Sequence, residues 1–170
     1  MAPSTHTTPV APETVGGLDP RAVCLEILDE NRVMSIGTVR SDGWPHVTMV
    51  NYLRLGHALY FVISRDSQKF ANIDRDHRVS IALGGNQNAR GLSIAARAME
   101  VRDDERIKQL NRATQARSKS AAFTPHPSSP LVAIMEARPE IISLVDYATP
   151  PGAQRLMRVV EDWRLEPIAS

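Results

Sequence analysis

Three apolar runs joined by two short turns, all within residues 33–63, constrain this chain more than any other feature. Val33 to Arg40 reads as a strand and is followed by Ser41-Asp42-Gly43, a strong hairpin turn. Trp44 to Leu53 is the partner strand, with Pro45 near its start, where a missing N–H is tolerated. Arg54-Leu55-Gly56-His57 makes a second turn and Ala58 to Ile63 a third strand. Strands joined by so few residues run antiparallel, because a parallel crossover needs a dozen residues or more. The region is therefore an antiparallel meander. A doubly wound sheet, in which strands alternate regularly with helices, does not match it.

The remaining segments extend this frame. Asp19-Pro20 reads as an N-cap with proline at the first helical position, opening a helix from Arg21 to about Asn31 with Val23, Ile27 and Leu28 on one face and Cys24 beside them. A short helix from Ser67 to Arg75 follows the third strand, and Val79 to Leu83 is strand four. After the loop Gly84 to Asn88, the alternation of Leu92, Ile94, Ala96 and Ala98 marks Gly91 to Val101 as strand five. Asp103 opens a helix to about Ser118, with acids in its first turn. Phe123 to Pro130 is a proline-rich connector. Leu131 to Ala137 and Glu140 to Tyr147 read as two strands separated by Arg138-Pro139. Ala148 to Gly152 is a loop, and Arg155 to Trp163 is strand-like. Residues 1–17 lack periodicity and read as a disordered or loosely ordered tail, leaving 18–166 as a single domain. Six or more antiparallel strands in this length predict a small closed barrel, mainly β with flanking helices.

Composition bears on function chiefly by what it disfavours. A net charge of +1 gives no nucleic-acid or membrane footprint. No run has the apolar length of a membrane span, and the N-terminus lacks the pattern of a signal peptide, so a cytoplasmic location is expected. Cys24, the single cysteine, rules out an intramolecular disulfide. No histidine or carboxylate cluster has metal-ligand spacing, so no metal is expected. There is no G-x-G-x-x-G or G-x-S-x-G motif.

The candidate site is the turn from Ser64 to Asn72, where a strand passes into a helix carrying two hydroxyls and Lys69. Free N–H groups at a helix start favour an anion, whereas a lysine in the first turn is disfavoured by the helix dipole unless an anion reverses the sign. Two readings stay open. Either Ser67 and Lys69 hold an anion, or Asp66 or Ser67 merely caps the helix and Lys69 points to water.

The order of the motifs carries a resemblance. Ile36-Gly37-Thr38, Asp42-Gly43-Trp44-Pro45-His46-Val47-Thr48, the strand 58–63, Ser67-Gln68-Lys69-Phe70-Ala71-Asn72-Ile73 and Arg78-Val79-Ser80-Ile81 follow one another as in the pyridoxamine 5'-phosphate oxidase-like superfamily. The strand Ser93 to Val101, followed by Asp103, is also similar to a passage of that family, and the likeness covers roughly residues 20–147. It implies the FMN-binding split-barrel fold, a six-stranded antiparallel Greek-key barrel, with two subunits pairing as a homodimer and holding FMN at their interface. It further implies that Ser67, Gln68 and Lys69 hold the cofactor phosphate and that Ile63 and Ser64 add contacts. The ring would lie along His46 to Asn51, with His46, Val47, Thr48 and Asn51 as its contacts. The function implied is a flavin-dependent oxidoreductase acting on a small molecule. F420 is the alternative cofactor and haem or biliverdin a further one, and a non-catalytic binding protein is the rival reading. The chain departs from true pyridoxamine phosphate oxidases in two places. Its second strand lacks their arginine-to-lysine pattern, and Tyr147 to Gly152 stands where they carry an Arg-x-His cluster. No catalytic acid or base is assigned.

Overall fold

The computed structural model describes residues 19–84, 89–117, 131–147 and 153–168. The expected tail, the connector 123–130, most of the loop 84–88 and the loop 148–152 lie outside the described residues. The chain runs α1 (Pro20–Glu30), β1 (Val33–Val39), β2 (Pro45–Leu55), β3 (Ala58–Ser64), α2 (Gln68–Arg75), β4 (Arg78–Gly84), β5 (Arg90–Glu100), α3 (Asp104–Arg117), β6 (Val132–Asp146), β7 (Ala153–Val159), a one-turn 3-10 helix (Glu161–Trp163) and β8 (Leu165–Pro167).

Local chemistry sets the boundaries. Asp19 caps α1 by accepting from the Arg21 N–H at 3.0 Å, and Pro20 occupies the first turn. The β1–β2 hairpin turns at Gly43, whose φ of +87° suits glycine, while Asp42 Oδ1 accepts from the Trp44 N–H at 3.2 Å.

All strands pair antiparallel in one eight-stranded sheet, in the order β3-β2-β1-β4-β5-β6-β7-β8, with β3 also pairing β6. The strand count thus corrects the expected six. The additional strands are β7, which begins two residues before the run that reads as one strand from Arg155 to Trp163 and ends inside it, and β8, which lies beyond it. Asp162 and Trp163 take positive φ there, which breaks the strand and turns the chain back. A second correction concerns β6, which runs unbroken through Arg138-Pro139. Its register against β5 shifts beside Ala95/Ala96, so that Ala96 pairs with Pro139 and Ala95 with Ile141. The opposite edge of β6 changes partner at the same place, from β3 up to Ala137 to β7 from Ile141. A proline is accommodated at such a bulge.

The core lies inside the sheet and is capped by α1 through Val23, Cys24, Ile27 and Leu28, which join Met34, Ile36, Phe61, Ile81, Ile94 and Ile142. Burial raises the Cys24 thiol pKa to about 12, so it is an inert part of this packing. Tyr52 reaches α1 with its hydroxyl, donating to the Leu28 carbonyl at 2.6 Å. A second apolar cluster forms beneath α3 from Leu53, Ala58, Tyr60, Ile107, Leu110 and Ile134. Strand β3 is therefore covered on both faces, which accounts for its nearly continuous apolar sequence.

Candidate functional site

The site forms where β3 runs into α2 beside the middle of β2. Met49, Val50, Asn51, Val62, Ile63, Ser64, Ser67 and Lys69 line a cleft of about 310 Å³. Of the nine residues singled out in the sequence, Asn51, Ile63, Ser64, Ser67 and Lys69 meet here. The other four do not line it. Strand alternation places Val47 with Met49 and Asn51 on the exposed face of β2, and His46 and Thr48 on the opposite face with buried Val50 and Tyr52. Gln68 turns its amide to Asn72, donating to Oδ1 at 2.8 Å. Met49, Val50 and Val62 also line the cleft and are not among the nine. Met49 and Val50 fall within the stretch His46 to Asn51 that the sequence marks, whereas Val62 lies just past the last β2–β3 pair, Tyr52 with Phe61, and enters only through the tertiary fold.

Ser67 is the N-cap of α2. Its Oγ accepts from the Phe70 N–H at 3.2 Å and donates to the Ser64 carbonyl at 2.6 Å. The Ser64 hydroxyl donates to Asp66, with a longer contact of 3.3 Å to the Leu131 carbonyl. Each hydroxyl has one proton, and both protons are engaged within the chain. The donors left for a ligand are the N–H groups of Gln68 and Lys69, which have no partner among the described residues, and the Lys69 ammonium.

Lys69 is half-buried rather than at an exposed turn, and burial lowers its pKa below the ordinary lysine value. No hydrogen bond or ion pair to it forms among the described residues. The other cation of the turn, Arg65, is neutralised by Glu100 and lies over the Phe70 ring, 5.5 Å from its centroid. The cleft thus concentrates one uncompensated positive charge against free helix N–H groups, an arrangement that attracts an anion. On the other face of β2, outside the cleft lining, His46 Nδ1 and Thr48 Oγ1 are buried without a hydrogen-bond partner among the described residues. Such orphaned atoms are uncommon, because each costs the desolvation of a polar group. Among the described residues no group of three or more His, Cys, Asp or Glu could hold a metal, and no helix is long and apolar enough to cross a membrane.

An apolar strip adjoins the cleft. Val47 and Met49 are 66% and 72% exposed, and Trp44 at the hairpin is 71% exposed. Register places Gly37 opposite Val47 and Ser35 opposite Met49, so small residues flank these side chains on one open face.

Similarity to known proteins agrees with this layout. Among solved structures, an FMN-binding, pyridoxamine 5'-phosphate oxidase-related protein of Nostoc punctiforme PCC 73102 matches with a TM-score of 0.65 at 16% identity, over 90% of this chain and 99% of that one. General stress protein 26 of Bacillus anthracis str. Sterne matches at 0.61 and 18%, over 81% and 97%. A heme-binding protein of Mycobacterium smegmatis matches at 0.59 and 22%, over 75% of this chain and 55% of that one. These likenesses show the fold. No curated protein matches the sequence. The family described as pyridoxamine 5'-phosphate oxidase matches residues 21–146. Since that span runs from α1 through β6 and takes in every residue of the cleft, the chain belongs to the pyridoxamine 5'-phosphate oxidase family.

Proposed function

We propose that this protein is a flavin-dependent oxidoreductase that binds FMN in the cleft between β2 and α2, works as a homodimer and acts on a small molecule. The observation that carries the reading is the half-buried, uncompensated Lys69 ammonium at the start of α2, beside free N–H groups. The residues fit the group. Lys69 and the N–H groups of Gln68 and Lys69 would take the phosphate, while Met49, Val50 and Val62 give the cleft apolar surface. Asn51 adds a polar edge. A bound flavin supplies the redox chemistry; the chain contributes the anchor, the orientation and the walls. The return pairing of β3 with β6 supports β1–β6 as the split barrel, with β7 and β8 beyond it. The exposed Trp44, Val47 and Met49 support burial of this face against a second copy. The family resemblance extends to F420 and haem, so the test discriminates among the three. The purified protein, as isolated and after incubation with each cofactor, is examined by visible absorption and equilibrium binding. Flavin bands and saturable FMN binding are expected. A Soret band or selective uptake of F420 would replace FMN in the reading, and a protein that binds none of the three would overturn it.

A further inference from the structure

Beneath α2 a buried carboxamide ties the helix to the sheet. Asn72 is 1% exposed and both ends of its amide are engaged. Its Nδ2 donates to Thr38 Oγ1 at 3.0 Å, and its Oδ1 accepts from Gln68 Nε2. Thr38, 3% exposed, directs its own hydroxyl to the His46 carbonyl at 3.3 Å. One chain of hydrogen bonds therefore runs from the first residue of α2, through β1, to β2. Arg75 Nη2 adds a second tie one residue along β1, donating to the Val39 carbonyl at 2.6 Å.

These bonds matter because α2 is only eight residues long and Ile73 is its one fully buried apolar side chain. Apolar packing of so short a helix is non-directional and resists rotation about the helix axis weakly. Side-chain tips lie about 5–6 Å from that axis, so a rotation of about 20° moves one by about 2 Å. That displacement exceeds the tolerance of a charge-assisted hydrogen bond. A satisfied buried amide contributes little net stability relative to an apolar side chain, but it is directional.

We propose that Asn72, acting through Thr38, is a positioning residue for the anion site: it fixes the rotation of α2 and thereby where the Lys69 ammonium stands in the cleft. The inference deepens the FMN reading and rests on it for the identity of the anion. The geometric part stands on Asn72, Thr38 and Gln68 alone. Among the described residues Lys69 is the sole charged one lining the cleft, so its titration reports its own burial.

The test uses the full chain with Thr38→Val, which keeps the shape of the side chain and removes the hydroxyl. Thr38→Ser serves as the rescue, and Asn72→Ala cuts the same bond should Thr38→Val not fold. With three lysines in the sequence, the Lys69 ε-methylene resonance is followed through pH in the ligand-free protein. The Lys69 titration is expected to move toward the ordinary lysine value in Thr38→Val and to return in Thr38→Ser. FMN affinity is then measured with and without Lys69→Ala. A loss of about tenfold is expected from Thr38→Val alone and less than about twofold in the Lys69→Ala background. An unmoved Lys69 titration overturns the inference, and so does an equal loss of affinity in both backgrounds. A wild-type protein that takes up no FMN contradicts the FMN reading, and the ligand-free titration then decides the positioning role by itself.

Discussion

The Ser67 hydroxyl donates to the Ser64 carbonyl at 2.6 Å, and this bond commits Ser67 to shaping the turn rather than to holding a ligand. The same oxygen accepts from the Phe70 N–H, so the side chain closes the end of β3 and starts α2 at once. Ser67→Ala should therefore cost stability, about 1 kcal/mol as for other N-caps. Ser67→Asp, which restores the acceptor, should recover part of that stability while weakening FMN binding, because it brings a negative charge to the phosphate. Urea unfolding and FMN titration of the two variants check this. A Ser67→Ala protein of wild-type stability would show that the cap is unimportant.

Lys69 gives the converse case. Burial lowers its pKa in the folded chain, so the unfolded state binds the proton more tightly. Stability is then expected to rise with pH as the folded-state amine loses its proton, levelling off above the ordinary value of about 10.4. Lys69→Met should remove this rise and leave the ligand-free protein at least as stable at neutral pH, while FMN affinity falls sharply. Urea midpoints over a pH series, with and without FMN, separate the two effects. Equal losses of stability and affinity in Lys69→Met would make Lys69 a structural residue.

The sequence made the meander, the α2 turn and most of the cleft legible because each depends on local chemistry. Asp42-Gly43 sets one hairpin, Ser67 caps the helix, and alternation sorts β2 into two faces. Pro139 misled the reading of β6 because proline is a local signal for a break. What permits it is non-local: a bulge against β5 and a change of partner on the other edge. Asn72 was visible as part of a motif, but its role depends on Thr38, 34 residues away, and spacing along the chain does not reveal that contact. Strand parity also groups His46 and Thr48 with Val50 on the face opposite Asn51, but which of these residues reach the cleft depends on the neighbouring β3–α2 turn.

The open face of β2 bears on assembly. Met49 is 72% exposed beside Val47, with Gly37 and Ser35 across the ladder. Burial of this strip against a second copy would remove apolar surface at about 25 cal/mol per Å². Met49→Glu places a charge there and should convert a dimer into monomer, with little change in the unfolding of the isolated subunit. Sedimentation equilibrium over a concentration series reads this directly. A monomeric wild-type protein, or a Met49→Glu protein that still dimerises, would remove this face from the assembly.

Tyr60 offers a test outside the cleft lining, on the face of β3 that packs beneath α3. It is 2% exposed, and its hydroxyl donates to Glu136 Oε1 at 2.6 Å while accepting from Arg106 Nε at 3.1 Å. The Arg106 guanidinium also stands over the ring, 5.0 Å from its centroid, so Tyr60 joins α3 to β6 through both ring and hydroxyl. Burial, followed by the hydrogen bond to Glu136, raises its pKa to about 12. The folded state therefore keeps the phenol proton where the unfolded chain, ionising near 10, has lost it. This contribution is complete below about pH 10 and falls away as pH rises toward about 12. Tyr60→Phe should cost about 1–3 kcal/mol at neutral pH, because it leaves Glu136 and Arg106 without the partner between them. It should also remove the alkaline loss assigned to Tyr60 while leaving FMN affinity unchanged. Denaturant unfolding from neutral to alkaline pH, paired with an FMN titration at neutral pH, checks all three. A Tyr60→Phe protein of unaltered stability would mean that Arg106 and Glu136 satisfy one another directly.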